Sequence, residues 1–81
     1  MPNPEERLAI WKSTVPGKAS LSQEIDLKSL SVKYELSGSA IVSVIHYASL
    51  QAICRNDTVL STEDVLEGIR REYEKEEKVF H

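Results

Sequence analysis

A long apolar stretch in the middle of the chain constrains the fold more than any other sequence feature. It runs from Glu35 to Asn56 as ELSGSAIVSVIHYASLQAICRN. Some of its apolar residues form a stripe at helical spacing, and further apolar residues widen that stripe. A helix here therefore needs neighbours on nearly every side. The stripe consists of Ile41, Val44, Ile45, Ala48 and Ala52, widened by Val42, Leu50, Ile53 and Cys54. We therefore expect a central helix.

The segment Ser37-Gly38-Ser39 is predicted to open this central helix. A serine hydroxyl there can accept a hydrogen bond from the first free backbone N–H groups. Small side chains leave the remaining N–H groups open to an approaching ligand. Gly38 has two interpretations, because a glycine can face a ligand or can let two helices cross closely.

Composition limits the chain to one small domain, residues 1–81,. With 41% apolar residues, 28% charged residues, three glycines and three prolines, it is typical of an ordered helical protein,. The net charge of −3 gives no reason to expect nucleic acid or an anionic membrane as partner,. The sequence shows no signal peptide and no apolar run of the ~20 residues that span a membrane, so we expect a cytoplasmic protein.

Start and stop signals divide the chain into four predicted helices. A polar residue that can cap the first turn precedes each of them, and an Asn56-Asp57 turn ends the central one,. We predict an all-α bundle with helices at about 4–14, 26–35, 38–55 and 62–77,. We expect residues 18–24 to form a surface loop and residues 58–60 a short extended link. The predicted core is Trp11, Leu30, Ile41, Val44, Ile45, Ala48, Leu66 and Ile69.

The fourth helix is predicted to have an apolar inner face and a charged outer face. Ser61 and Asp64 fit the capping-box pattern at its start,. The charges favour a solvated face with ion pairs such as Glu67–Arg71 and Glu74–Lys78. An alternative is that the chain is a free-standing helical adaptor whose charged fourth helix binds another protein.

The residue pattern disfavours catalysis and metal binding by this chain alone. His46 and Cys54 stand eight residues apart on one helix, about 12 Å along its axis, and cannot form a catalytic pair,. Cys54 is interpreted as a small buried apolar residue. His46 and His81 are isolated, so no metal site is expected. Gly17-Lys18 resembles the end of a phosphate-binding loop but lacks the earlier glycine and the following hydroxyl of a Walker A motif.

A helix-turn-helix is a further alternative, since two predicted helices meet at Leu36-Ser37-Gly38,. Its recognition helix would begin with residues 38–44. That segment contains no Arg, Lys, Asn or Gln to contact base edges, and Arg55 is the first basic residue after it,. DNA binding is therefore the less favoured alternative.

Four short motifs occur in order along the chain. They are Arg7-Leu8-x-Ile10, Ile25-Asp26-Leu27-x-x-Leu30, Leu36-Ser37-Gly38-x-x-Ile41 and Leu60-Ser61-x-x-Asp64. Together they closely resemble the C-terminal helical lid of AAA ATPases, a branch of the AAA+ superfamily, over residues 4–73. The resemblance implies a four-helix subdomain that follows a nucleotide-binding α/β subdomain. It also implies that the chain is a fragment of a larger, ring-forming ATPase that remodels protein substrates.

Residues 37–40 fall where the family carries its sensor 2 element. They resemble the Ser-Gly-Ala type of the AAA branch, in which the backbone packs near adenine, and Ser39 stands where that branch often has alanine. The resemblance implies that Gly38 and Ser39 contact the adenine or ribose of ATP or ADP, bound with Mg²⁺ in the parent protein. It implies as partners the parent's own α/β subdomain and neighbouring ring subunits. The fragment alone would bind nucleotide weakly and would not hydrolyse it.

Overall fold

The computed structural model of the chain describes residues 2–15, 20–21 and 25–76. In this part of the chain the fold is all-α, as predicted, with four helices. They are α1 (Pro4–Thr14), α2 (Leu27–Lys33), α3 (Gly38–Cys54) and α4 (Thr62–Lys75). The predicted helix ends differ from these by two residues at most. The start and stop signals of the sequence were therefore sufficient to locate the helices.

Polar side chains cap the helices where the sequence predicts them. The Asn3 side chain accepts from the Glu6 amide at 2.8 Å, and the Glu6 carboxylate accepts from the Asn3 amide at 3.1 Å, which completes a capping box,. At α4 the predicted box is only half formed. The Ser61 hydroxyl accepts from the Asp64 amide at 3.2 Å, but the Asp64 carboxylate accepts from Arg55 at 2.6 Å instead.

The end of α3 is set by a residue in the left-handed conformation. Asn56 has a φ of 56°, which asparagine tolerates better than most residues,. The next amide, that of Asp57, donates to the Ala52 carbonyl at 2.8 Å and satisfies one of the last carbonyls of the helix. The predicted turn at these two residues is confirmed.

The third helix packs against both α1 and α4, while α2 packs chiefly on α1. The predicted core residues Trp11, Ile41, Val44, Ile45, Ala48 and Ile69 are buried. The predicted core residues Leu30 and Leu66 are only half-buried at its margin. The core also contains Ala52, on the predicted apolar stripe of α3, and Val65 and Tyr73, on the predicted inner face of α4. Its further members Tyr34, Leu36, Ala40 and Leu60 were not in the predicted core. Several of these lie at helix ends or between helices, where helical periodicity is uninformative.

The prediction that α3 is surrounded is wrong for one of its faces. Ile53, Val42 and Leu50 are 67%, 49% and 48% exposed, and Cys54 is exposed rather than buried. The physical reason is size, because a chain of 81 residues holds one small core and cannot cover every side of a 17-residue helix,. Burial of an apolar residue depends on where its neighbours lie and not on its own type alone.

A short parallel pairing joins a segment that was predicted to be a loop to one that was predicted to be extended. Strand β1 (Ser20–Leu21) pairs with strand β2 (Val59–Leu60), with Ser20 opposite Val59 and Leu21 opposite Leu60. The second strand lies in the predicted extended link, whereas the first lies in the predicted loop. Strands of two residues carry no readable alternation, and their pairing is decided by contacts distant in sequence. Leu60 of this pairing is fully buried, and β2 packs against α3.

Two aromatic residues connect the α2–α3 link to the last turns of α4. The rings of Tyr34 and Tyr73 meet edge to face, with centroids 5.8 Å apart and planes at 79°,. The Tyr73 hydroxyl also accepts from the Glu35 amide at 3.0 Å. These contacts hold the chain immediately before α3 and thereby position the start of that helix.

Candidate functional site

The predicted site residues lie at the first turn of α3. The Ser37 hydroxyl accepts from the Ala40 amide at 3.2 Å, and the Ile41 amide donates to the Ser37 carbonyl at 3.0 Å. Within the described residues, the amides of Gly38 and Ser39 are left without an acceptor,. Gly38 is half-buried and Ser39 is exposed. The helix therefore begins with two adjacent N–H groups that a ligand could occupy.

The electrostatics of this turn differ from those of the other helix starts. Glu5 and Glu6 lie in the first turn of α1, and Glu63 and Asp64 in that of α4, whereas α3 has no acid in its first turn. Its cap is the neutral Ser37. The positive end of the α3 dipole is therefore not neutralised by a carboxylate of its own cap or first turn.

By contrast, α2 begins at a carboxylate that the helix start stabilises in its charged form. The Asp26 carboxylate accepts from the Ser29 hydroxyl at 2.9 Å and from the Lys28 amide at 3.0 Å. These hydrogen bonds, with that from Ser29 foremost, hold the pKa of Asp26 below its ordinary value,. The first amides of α2 are therefore already bonded to the carboxylate of its own N-cap, Asp26.

The close-packing interpretation of Gly38 does not match the geometry. A Cβ on Gly38 would meet the Ile10 Cδ1 at 3.5 Å, an ordinary van der Waals distance, and its φ is not positive. The close crossing occurs at Gly68, where a Cβ would lie 3.0 Å from Val44 Cγ1 and 3.3 Å from the Val44 backbone. Neither helix packing nor backbone conformation requires glycine at position 38.

The first turn of α3 is an open surface. Neither Gly38 nor Ser39 lines the grooves that the described residues form between α3 and α4, between α2 and α4, or between α1 and α2. A small molecule at this turn would touch one wall only, so the rest of its surroundings would have to come from residues outside this helix start.

A groove with exposed apolar side chains lies between α3 and α4, and we call it the α3/α4 groove. It has a volume of about 390 Å³. Its lining is Val42, Ser43, His46, Tyr47, Leu50, Gly68, Arg71, Glu72 and Lys75. Arg71 lies over the Tyr47 ring, 5.0 Å from its centroid, in a cation–π contact,. The combination of exposed aliphatic side chains and a stacked arginine was not recognised in the sequence, because it depends on which face of α3 the other helices leave open.

The two residues rejected as a catalytic pair lie in different places, because Cys54 is not in the lining of the groove that contains His46. His46 is exposed in the α3/α4 groove, and Cys54 is exposed in the last turn of α3. Within the described residues, no three His, Cys, Asp or Glu side chains are grouped as metal ligands. His81 lies outside the described residues.

The charged face of α4 pairs within itself, partly at the predicted four-residue spacing. Arg70 and Glu74 have that spacing, whereas Glu67 pairs with Arg70 and not with the predicted Arg71. Arg70 bonds both Glu67 and Glu74, and Lys75 bonds Glu72 at 2.8 Å. Glu67 therefore pairs three rather than four residues along the helix, and the predicted partner Lys78 lies outside the described residues. The hydrogen bond from Arg70 lowers the pKa of Glu67, and the same bond raises the pKa of Arg70,.

Comparisons with known proteins do not assign the chain to a family. No protein-family model matches the sequence, and a search of curated proteins returned no significant match. None of the helices in the described residues is long and apolar enough to cross a membrane. The functional interpretation therefore depends on the sequence motifs and the geometry above.

Proposed function

We propose that the chain is the helical lid subdomain of an AAA ATPase and forms one wall of the nucleotide site in a larger parent protein. In that role it would close over ATP or ADP and couple hydrolysis to remodelling of a protein substrate within a ring. The four motifs, the helix order and the open first turn of α3 support this proposal. The chain itself supplies no phosphate-binding loop and would not hydrolyse ATP alone.

The geometry at Gly38 supports the proposal independently of the motif pattern. Gly38 has neither a positive φ nor a close contact that would require glycine, yet it lies beside two backbone N–H groups without acceptors. A glycine that the fold does not need is explained when a ligand approaches the backbone there. Adenine or ribose is the ligand that the lid interpretation places at this position.

The gene sequence upstream of this chain provides the first test. A Walker A motif and a Walker B motif within the preceding α/β region are expected, because a lid needs both to form a hydrolytic site with it. An upstream region without a phosphate-binding loop would overturn the proposal.

Substitution of Gly38 in the parent provides the second test. A leucine at position 38 should obstruct the nucleotide or hold the lid open, and so raise KM for ATP or lower kcat at least tenfold, about 1.4 kcal/mol. Gly38→Ala is the graded companion variant, because its single methyl group fits the fold, meeting only Ile10 at 3.5 Å, so that a smaller kinetic loss in this variant reports on the nucleotide and not on folding. Unchanged ATPase kinetics in a folded Gly38→Leu parent would show that Gly38 does not contact the nucleotide.

The isolated chain provides a third, simpler measurement. Calorimetric titration should show millimolar affinity for ATP at best, because two backbone donors on an open surface cannot offset the cost of immobilising the ligand. Micromolar binding would contradict the fragment interpretation, since it would require a complete site within these 81 residues.

A further inference from the structure

The α3/α4 groove has a charge character opposite to that of the whole chain. The chain carries a net charge of −3, whereas the groove is lined by Arg71, Lys75 and one acid, Glu72. Lys75 bonds that acid at 2.8 Å. Among the described residues, no carboxylate pairs with Arg71, whose charged group lies over Tyr47. The groove therefore presents an exposed cation that no described carboxylate contacts directly, although Glu67, one turn earlier on α4, attracts it electrostatically.

The same groove presents apolar surface that nothing in the described chain covers. Val42 and Leu50 are 49% and 48% exposed and stand two helical turns apart on α3,. Gly68 lies in the lining and carries no side chain, and its buried backbone brings α4 close to Val44. Arginine and tyrosine, which meet in this patch, are both enriched at the centre of protein interfaces.

We infer that the α3/α4 groove binds a short segment of a partner protein in which a carboxylate stands beside a bulky apolar side chain. The apolar side chain would pack between Val42 and Leu50, and the carboxylate would accept hydrogen bonds from Arg71. The guanidinium is held over Tyr47 before binding, so less of its rotational freedom is lost when it pairs,. This inference does not depend on the nucleotide proposal, because neither Gly38 nor Ser39 lines the groove.

Charge complementarity favours this occupant over a second copy of the chain. A two-fold dimer through this face would place the same patch on both sides of the interface, so each Arg71 would meet a cationic patch. The groove's one acid, Glu72, already bonds Lys75. Nucleic acid is disfavoured because a single unpaired cation between aliphatic side chains gives little phosphate attraction.

Amide chemical shifts of the isotope-labelled 81-residue chain test this inference. The probe is a capped pentapeptide of two glutamates, two leucines and one phenylalanine, with a glutamine-substituted version as its uncharged control. We expect saturable shifts at Val42, His46, Leu50 and Arg71, with Kd on the order of 0.1–1 mM for so short a ligand. The glutamine peptide should bind at least fivefold more weakly.

Two matched pairs of variants separate the groove from general surface effects. Arg71→Gln should weaken binding of the acidic peptide at least fivefold, whereas Arg70→Gln should change it less than twofold. Both remove one positive charge from α4, but Arg70 already bonds Glu67 and Glu74. Leu50→Asn should abolish the shifts, whereas Ile53→Asn, outside the lining and 67% exposed, should not. Retained spectral dispersion confirms that each variant is folded.

Several results would overturn the inference. One is equal binding of the acidic and glutamine peptides, and another is no saturable shift at millimolar peptide. A concentration-dependent shift of the groove residues without peptide, with a doubled mass in sedimentation, would assign the face to a second copy. Movement of the groove resonances on removal of residues 77–81 would assign it to the chain's own C-terminal residues. Loss of nucleotide contacts in the parent would leave this inference standing, since the titration contains no nucleotide.

Discussion

The Arg7 Nε donates a hydrogen bond to the backbone carbonyl of Ser31 at 2.8 Å, and both residues are buried. This contact joins α1 to α2 across 24 residues of sequence. The Arg7 guanidinium also donates to the Pro2 carbonyl at 2.6 Å through Nη1. The buried Arg7 guanidinium thus donates to two backbone carbonyls, those of Ser31 and Pro2.

Replacing Arg7 should therefore destabilise the fold without altering any exposed surface. Arg7→Met keeps the apolar stem but leaves the Ser31 carbonyl without its donor, and we expect a loss of about 1.5–3 kcal/mol. Arg7→Lys should not restore the loss, because an ammonium cannot reach both carbonyls in the geometry of the guanidinium. Urea titration measures the free energy of unfolding. A change within about 0.5 kcal/mol for Arg7→Met would contradict this role.

The two glycines on α3 and α4 should respond oppositely to the same added methyl group. Gly68→Ala places a Cβ 3.0 Å from Val44 Cγ1 and 3.3 Å from its backbone, and should cost about 1–3 kcal/mol through overpacking,. Gly38→Ala meets only Ile10 at 3.5 Å and should be neutral or slightly stabilising, since alanine favours the helix,. Thermal unfolding of the two variants provides the comparison. An unchanged Tm for Gly68→Ala would mean that the helix crossing does not depend on Gly68.

Burial on α3 can be tested with two isoleucines of the same helix. Ile45 is 2% exposed, and Ile45→Ala should cost about 2–5 kcal/mol through lost burial and an unfilled cavity,. Ile53 is 67% exposed, and Ile53→Ala should change the free energy of unfolding by less than about 0.5 kcal/mol,. Denaturant titration of both variants is the measurement. A loss below about 0.5 kcal/mol for Ile45→Ala would show that α3 is not the centre of the core.

The N-cap of α2 should give the protein an acid-sensitive component of stability. Because the folded pKa of Asp26 is lowered, its contribution is present above the ordinary aspartate value of about 3.9 and is lost as pH falls below it,. Asp26→Asn keeps a competent cap but does not titrate. The fall in Tm between pH 7 and pH 3 should thus be larger for the natural chain than for Asp26→Asn. An identical fall in both proteins would show that Asp26 makes no such contribution.

Local chemistry was sufficient to predict the four helices of the described chain. Their starts are set by side chains that bind the nearest free amides, as with Asn3 and Glu6, and the turn at Asn56 follows from its tolerance of a positive φ,. These interactions span a few residues and are visible in sequence. The central, buried position of α3 was predicted in the same way from its apolar stripe. The lid resemblance and the nucleotide contact of Gly38 and Ser39 remain predictions.

Only the tertiary structure decided which apolar residues are covered and where helices approach each other. Cys54 and Ile53 resemble core residues in sequence but face outward, because α1 and α4 occupy the other sides of α3. Gly68, and not Gly38, lies at the close crossing, and the parallel pairing of residues 20–21 with 59–60 links segments with no local signal. The physical reason is that helix caps depend on neighbours along the chain, whereas burial depends on distant segments meeting in space.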